Sequence, residues 1–203
     1  MMTRVLVPLR HVVKLTSSPC HVTLMLVTDR TSIAIRISSA EIAARIEDLA
    51  RDIQAGMAED TLMVPILTGS FVFAADLVRA LARAGADWPL DFMTLSSYGA
   101  GTESSGRIDI VRDLREPVSG RSVLVIDDIL DTGRTLLFAR NLLRQRGAID
   151  VKICALLDKP ARRTEDLAAD FVGFSVVDEF LVGYGLDKAG RYRGLPYIGA
   201  IEG

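Results

Sequence analysis

The sequence contains little of what marks several large classes of protein. Its two cysteines, Cys20 and Cys154, are far apart, which excludes a disulfide framework and a cysteine metal site. No apolar run approaches the ~20 residues that a membrane-spanning helix needs. The net charge of −2 offers no electrostatic attraction to nucleic acid or to an anionic membrane. We therefore expect a cytoplasmic protein with no nucleic-acid or membrane partner, in which Cys154 is a small core residue.

What is present is an ordinary globular composition. Of the 203 residues, 49% are apolar and 25% are charged, which suffices for one good hydrophobic core. Residues 1–30 form a basic, acid-poor tract interrupted by prolines, and we interpret them as an N-terminal extension of unknown role. An organellar targeting segment and an upstream start codon are the alternatives. Residues 31–203 are predicted to form a single domain.

Strand-like and helix-like segments alternate from residue 33 onwards. Ser38 and Glu41 form a capping box, and apolar residues follow it at helical spacing. Predicted strands cover 62–67, 90–97, 122–126 and 151–157, and further helices cover 71–84 and 136–146. Pro65 moves the first of these strands toward a sheet edge or a local irregularity. The alternation predicts an α/β fold with a doubly wound, mainly parallel sheet.

The chain changes character after Lys159. Short β-like pieces at 171–174, 180–184 and 195–198 are separated by acids and glycines. They are too short for a second domain, so we expect a small hood subdomain, formed mainly by 159–203 and folded over the sheet edge.

Residues 123–136, VLVIDDILDTGRTL, are the most informative segment. An apolar run that predicts a buried strand ends in Asp127 and Asp128, and Asp131 follows before a turn that opens a helix. The backbone N–H groups of residues 132–135 are suited to hold a phosphate at the helix N-terminus. The adjacent acids are suited to accept hydrogen bonds from a diol. A sugar phosphate satisfies both kinds of group, whereas a plain strand and capped helix does not explain three acids that repel one another.

This segment resembles the phosphoribosyl pyrophosphate signature of the type I phosphoribosyltransferases, and further segments extend the resemblance from about residue 33 to the C-terminus. It is closest to the hypoxanthine and hypoxanthine-guanine branch of that family. The implied reaction joins a 6-oxopurine to phosphoribosyl pyrophosphate, releasing pyrophosphate and giving IMP or GMP in purine salvage. The implied cofactor is Mg²⁺, and the implied assembly is a homodimer or homotetramer.

The resemblance also implies roles for residues around the sugar phosphate. Asp131 is the implied general base near the purine N7, and Asp127 and Asp128 hold the ribose hydroxyls and Mg²⁺. The 5′-phosphate is assigned to the turn formed by Thr132, Gly133, Arg134 and Thr135. Pyrophosphate is assigned to Thr68 and Gly69, after an unusual cis peptide at Leu67–Thr68, and to Arg193.

The remaining implied roles concern the base and the lid. Ser97 and Tyr98 begin a Gly- and Ser-rich segment that resembles the mobile catalytic lid of the family. Lys159 matches a donor to the purine O6, Phe180 the ring that stacks on the purine, and Leu181 a backbone acceptor for the base edge. Asp187 matches an acid that helps to hold a second Mg²⁺.

Three departures from the family pattern leave alternatives open. Thr68 stands where many members carry Lys or Arg, which removes one candidate charge from the pyrophosphate site. Asp127 replaces the Glu that many hypoxanthine enzymes carry and matches xanthine-guanine enzymes as well, and Arg134 replaces the commoner Lys. A xanthine-preferring enzyme, an enzyme for uracil, orotate or adenine, and a non-catalytic sensor of phosphoribosyl pyrophosphate are the alternatives.

Overall fold

The computed structural model describes residues 4–6, 32–97 and 108–202. Its centre is a six-stranded sheet in the order β5-β4-β3-β6-β7-β8. The strands are β3 (Thr61–Leu67), β4 (Met93–Ser97), β5 (Ile108–Arg112), β6 (Ser122–Leu130), β7 (Asp150–Asp158) and β8 (Phe171–Ser175). All neighbouring pairs are parallel except β4 and β5. The predicted α/β fold with a mainly parallel sheet is confirmed.

Three α-helices occur in the described part of the chain. They are α1 (Ser39–Gly56), α2 (Phe71–Arg83) and α3 (Arg134–Gln145). The α1 and α2 side chains pack with one face of the sheet in one apolar cluster, while α3 packs on residues of β3, β6 and β7 in a second cluster. Because parallel strands need crossover connections, helices cover the sheet and bury its strands on both faces. Cys154 on β7 is fully buried, as expected for a core residue.

A second sheet of four strands lies outside the central one. It has the order β1-β2-β10-β9, from β1 (Arg4–Leu6), β2 (Ser32–Ile37), β9 (Leu181–Val182) and β10 (Ile198–Ile201). We call this sheet and the connection between β9 and β10 the hood. Its strands come from both ends of the described chain, because β2 pairs with β10 across most of the sequence.

Two segments differ from the sequence-based expectations. The strand of Pro65 was predicted to lie near an edge, and this was wrong, since β3 is an inner strand. A local irregularity does occur. The Met63 N–H donates to the carbonyl of Pro89, before β4, and the nitrogen of Pro65, two residues later, faces the same neighbouring segment. There β4 has not yet begun, so the missing proline donor interrupts no regular ladder.

The β-like segment after residue 170 was expected in the hood, but β8 pairs with β7 at the edge of the central sheet. Gly173 permits this close approach, because a Cβ there would overlap the carbonyl oxygen of Leu156. The predicted lid falls largely on residues 98–107, outside the described residues. No helix in the described ranges is long and apolar enough to cross a membrane.

Candidate active site

Two adjacent carboxylates, one buried and one partly buried, lie near the end of β6. The strand continues through Asp127 and Asp128 to Leu130, so both acids are held by the ladder with β7. Asp127 is only 9% exposed, and its Oδ1 accepts the Asp128 backbone N–H at 3.0 Å. Burial and the neighbouring Asp128 carboxylate raise the pKa of Asp127 well above its usual value. Burial also raises the pKa of Asp128, although Arg193 opposes that shift.

The turn between β3 and α2 lies against this carboxylate pair. A Cβ on Gly69 would overlap the Asp128 carboxylate, so only glycine fits between the two strand ends. The Leu67–Thr68 peptide is cis, as the family resemblance implied. The Ser70 hydroxyl donates to the Ile66 carbonyl at 2.6 Å and makes no cap to α2, which leaves the first N–H groups of that helix without a side-chain acceptor.

The start of α3 is also uncapped. Gly133, in the left-handed region at φ 92°, is its N-cap residue and has no side chain to accept from the first turn. By contrast, α1 has a complete capping box of Ser38 and Glu41. Thus the helices whose N-termini follow β3 and β6, where the carboxylate pair lies, both lack a side-chain cap. Uncapped helix N-termini are ready-made sites for anions, and two of them suit a ligand with two separate phosphate groups.

The hood reaches the same place through the segment after β9. A Cβ on Gly185, which has φ 102°, would overlap the Gly69 carbonyl oxygen. Arg193 donates to the Gly185 carbonyl at 2.5 Å and pairs with Asp187 at 2.7 Å. Asp187 also accepts the Gly190 N–H at 2.6 Å. Asp128, Gly69, Gly185, Arg193 and Asp187 therefore form one continuous chain of contacts from β6 to the hood.

Lys159 directly follows β7, and its side chain reaches the segment that carries Phe180. Lys159 is 6% exposed; its Nζ donates to the Glu179 carbonyl at 2.8 Å and lies 3.6 Å from the Asp178 carboxylate. Phe180 follows directly and is 58% exposed, an unusual fraction for a large aromatic ring. Leu181 is buried in β9. A planar base between Phe180 and this lysine would find both a stacking surface and a donor.

Asp131 connects the two halves of the site. Its carboxylate lies 3.2 Å from Arg162 Nε, and Arg162 Nη1 lies 3.8 Å from Asp178. Asp178 is in turn the ion-pair partner of Lys159. The acid of the signature turn is thus joined to the lysine by a chain of alternating charges, although exposed pairs of this kind contribute little stability.

The residues present fit a magnesium ion. Asp127 and Asp128 supply hard carboxylate oxygens, and burial raises the pKa of both groups. Within the described residues, no group of three or more His, Cys, Asp or Glu side chains is arranged to hold a metal. Mg²⁺ usually keeps several waters and binds through one or two carboxylates and substrate phosphates, and Asp127 and Asp128 supply two such carboxylates.

Some predicted residues could not be placed, and some neighbours were missed. Ser97 is the last described residue of β4, and Tyr98 lies outside the described residues. Sequence reasoning missed the contacts of Arg162 and Arg163, whose adjacent positive charges just after Lys159 were the available signal. It also missed the contact of Gly185 with Gly69, for which the two glycines within residues 183–185 were the available signal.

Comparisons with known proteins agree with this geometry. Residues 37–189 match the family model of the phosphoribosyl transferase domain. The chain is 44% identical over 173 residues to hypoxanthine phosphoribosyltransferase of Escherichia coli (strain K12), covering 84% of this chain and 96% of that protein. It is 45% identical over 170 residues to hypoxanthine-guanine phosphoribosyltransferase of Bacillus subtilis (strain 168), covering 83% and 92%.

A solved structure agrees as well. The crystal structure of a hypoxanthine phosphoribosyltransferase from Staphylococcus aureus matches with a TM-score of 0.78 and 38% identity, covering 83% of this chain and 90% of that one. The family match, residues 37–189, includes the turn of residues 131–135 and the hood residues Gly185 and Asp187. The chain belongs to the type I phosphoribosyltransferase family, close to its hypoxanthine phosphoribosyltransferases.

Proposed function

We propose that this protein is a purine salvage transferase that joins hypoxanthine, and also guanine, to phosphoribosyl pyrophosphate. The products are IMP or GMP, and pyrophosphate. One observation carries the proposal: the helices after β3 and β6 both lack a side-chain N-cap, and both begin close to the carboxylates of Asp127 and Asp128. A ribose with phosphate groups at both ends supplies two anions for the helices and a diol for the carboxylates.

On the sugar side, the turn of residues 132–135 would hold the 5′-phosphate through its backbone N–H groups. Asp127 and Asp128 would accept from the ribose hydroxyls. Thr68, Gly69 and Arg193 would hold the pyrophosphate, with backbone N–H groups taking the place of the basic side chain that Thr68 lacks. Gly69 contacts both Asp128 and Gly185, which supports this grouping. The turn proposed to hold pyrophosphate therefore lies directly beside the carboxylates proposed to hold the ribose.

Mg²⁺ would be held by Asp127 and Asp128, with Asp187 near a second ion. When bound, it supplies positive charge that neutralises the pyrophosphate as it leaves. Asp187 is already paired with Arg193, so the same ion pair would place both groups at the pyrophosphate. The protein's own part is to orient the ribose and the leaving group, which accounts for most of the acceleration in such reactions.

On the base side, Lys159 would donate to the purine O6, the Phe180 ring would stack on the purine, and the Leu181 backbone carbonyl would accept from the base edge. The burial of the Lys159 stem and the exposure of the Phe180 ring support these roles. Asp131 would accept the proton at N7 as the bond to the sugar forms, a step worth ~10²–10⁴-fold.

The remaining properties are coarser. We propose that residues 31–203 form the single catalytic domain and that residues 1–30 are an extension of unassigned role, of which residues 4–6 pair with β2 in the hood. A homodimer or homotetramer in the cytoplasm is consistent with the family. Size-exclusion chromatography with light scattering will determine the assembly.

The function is tested by pyrophosphate release from phosphoribosyl pyrophosphate and Mg²⁺. Hypoxanthine, guanine, xanthine, adenine and uracil are offered separately, with and without EDTA. We expect turnover with hypoxanthine and guanine that EDTA abolishes. Preference for xanthine would identify a xanthine enzyme and give Asp127 a role in base choice. Binding of phosphoribosyl pyrophosphate without any turnover would instead identify a sensor.

A further inference from the structure

A segment just after Lys159 packs beneath the signature turn. Arg163 follows the 3₁₀ turn Pro160–Arg162, and its side chain is only 16% exposed. Gly133 lies directly above it, since a Cβ there would come within 3.1 Å of the Arg163 Cδ and 3.3 Å of the Glu165 Cβ. One side of the turn is therefore covered by residues 163–165.

The Arg163 guanidinium is committed to the backbone of the turn. Its Nη1 donates to the carbonyl oxygens of Leu130 at 3.1 Å and Asp131 at 2.8 Å. Its Nε donates to the Leu167 carbonyl at 3.1 Å, and its Nη2 pairs with the Asp158 carboxylate at the end of β7. A planar fork with fixed donors suits this task, which the point charge of a lysine cannot reproduce.

The next carbonyl of the turn is held by the same segment. The Thr132 oxygen accepts the backbone N–H groups of Thr164 at 3.0 Å and Glu165 at 3.2 Å. The Thr164 hydroxyl lies 3.3 Å from the same oxygen. Three consecutive carbonyls, from residue 130 to residue 132, are thus fixed from one side.

Fixing these carbonyls also fixes the N–H groups of the turn. In a trans peptide the C=O of one residue and the N–H of the next point in opposite directions. The carbonyls of Asp131 and Thr132 point toward residues 163–165. The N–H groups of Thr132 and Gly133 therefore point away from that segment, into the turn. Donors that are already aimed need no reorganisation when an anion arrives.

We propose that Arg163 is a positioning residue for the 5′-phosphate site, acting through the peptide planes of residues 130–132 and never touching the ligand. The proposal rests on the proposed function, because it assigns the signature turn to a sugar phosphate. It predicts a selective loss: binding through the turn weakens, whereas binding through Thr68, Gly69 and Arg193 is retained.

The test compares direct binding of two probes by calorimetry. IMP carries the 5′-phosphate, and pyrophosphate with Mg²⁺ does not. Arg163→Met keeps the apolar stem of the side chain and removes its donors, and Arg163→Lys keeps the charge without the fork. Arg144→Met, at an exposed position on α3, is the matched control for loss of an arginine.

We expect Arg163→Met to raise the Kd of IMP by about 10- to 100-fold, the range for misplaced binding groups. The Kd of pyrophosphate should stay within about twofold, Arg163→Lys should be intermediate for IMP, and Arg144→Met should match the wild type. An unchanged Kd for IMP, or equal losses for both probes, overturns the proposal. Should Arg163→Met not fold, the same comparison on Arg163→Lys decides.

The wild-type protein separates this inference from the proposed function. If it binds IMP but releases no pyrophosphate with any base, the proposed activity fails and the Arg163 comparison still stands. If it binds pyrophosphate but not IMP, both the sugar-phosphate assignment and the role of Arg163 are overturned.

Discussion

At the scale of single residues, Asp131 is the side chain whose position most directly concerns chemistry. It lies in the signature turn, paired with Arg162 at 3.2 Å and joined through Asp178 to Lys159. This position fits the proposed role of Asp131 as a proton acceptor from a base held by Lys159. The sequence singled out the residue, but its link to Lys159 is visible only in the fold.

Replacing Asp131 with Asn tests its role as a base. The amide keeps the shape but does not accept a proton, so we expect kcat to fall by ~10²–10⁴-fold. The Kd of phosphoribosyl pyrophosphate should change by no more than a few-fold. Steady-state kinetics and direct binding measure the two effects separately, and equal losses in both would remove Asp131 from the acid–base role.

Asp127 is a residue that the fold holds at a cost to its stability. Burial and the Asp128 carboxylate raise its pKa, so its neutral form is favoured in the folded protein. A group with a raised folded-state pKa contributes stability below its unfolded value of about 3.9 and loses that contribution as the pH rises through the folded-state pKa. Above the unfolded value, the raised pKa of Asp127 therefore lowers the stability of the metal-free protein.

We expect Asp127→Asn to raise the free energy of unfolding at pH 8 in EDTA by about 1 kcal/mol or more, since the amide carries no charge to bury. The same variant should lose about 100-fold or more in kcat/KM, because the ribose and Mg²⁺ lose a ligand. Urea unfolding and initial rates measure the two effects. Glu59→Gln, at an exposed position, is the control, and a variant less stable than the wild type would contradict the prediction.

At the scale of elements, the N-terminus of α1 has a side-chain cap, whereas those of α2 and α3 do not. The α1 helix has a capping box, and its N-terminus is satisfied within the chain. The α2 and α3 helices begin without one, beside the carboxylates. Two adjacent helix ends whose N-cap residues supply no side-chain acceptor suit a ligand that accepts from their N–H groups.

Asp91 shows the opposite arrangement, a buried carboxylate that is fully engaged for structure. Just before β4, it accepts the N–H groups of Phe92 at 2.8 Å, Arg115 at 2.5 Å and Glu116 at 3.1 Å. Burial acts to raise its pKa, but these donors and the nearby Arg112 outweigh burial and hold the pKa below its usual value. Asp91 thereby ties the start of β4 to the segment that follows β5.

Its contribution to stability should depend on pH. A depressed folded-state pKa adds stability above the unfolded value of about 3.9, and this is lost as the pH falls through the folded-state pKa. We expect Asp91→Asn to destabilise the protein by about 1–3 kcal/mol at pH 7, with the difference from wild type shrinking below about pH 4. Urea unfolding across this pH range measures the difference in stability, with Asp87→Asn at an exposed position as the control. A difference between variant and wild type that does not change with pH would contradict the prediction.

At the scale of the whole molecule, the site exists where the hood meets the central sheet. The two sheets touch at Gly185 and Gly69, where backbone packs on backbone beside Asp128. The Tyr184 hydroxyl, one residue before Gly185, donates to the Asp76 carboxylate on α2 and stabilises the same junction. Arg193 and Asp187 on the hood are thereby held in a fixed position relative to the carboxylates on β6.

A methyl group at this junction should separate the two sheets. Gly185→Ala introduces a Cβ that overlaps the Gly69 carbonyl and places alanine at φ 102°. Gly190→Ala, at φ 76° with open space around it, is a matched control that carries only the conformational cost, about 1 kcal/mol. We expect Gly185→Ala to be about 2 kcal/mol or more less stable than this control.

Gly185→Ala should also weaken pyrophosphate binding by more than tenfold, since it moves Arg193 away from Asp128. Urea unfolding and calorimetry compare the two alanine variants directly. Equal stability and equal pyrophosphate affinity in both would show that the two sheets do not position the site.

The sequence by itself determined the α/β class, the helix that begins at Ser38 and the signature turn, because local periodicity, caps and turn residues act over a few neighbours. It also determined the family, since Asp127, Asp128 and residues 131–135 lie together in the chain. Only the tertiary structure decided what depends on distant segments meeting: the pairing of β2 with β10, Pro65 on an inner strand, Arg163 beneath the turn and Gly185 against Gly69. Such contacts arise from packing between elements, which local sequence patterns do not specify.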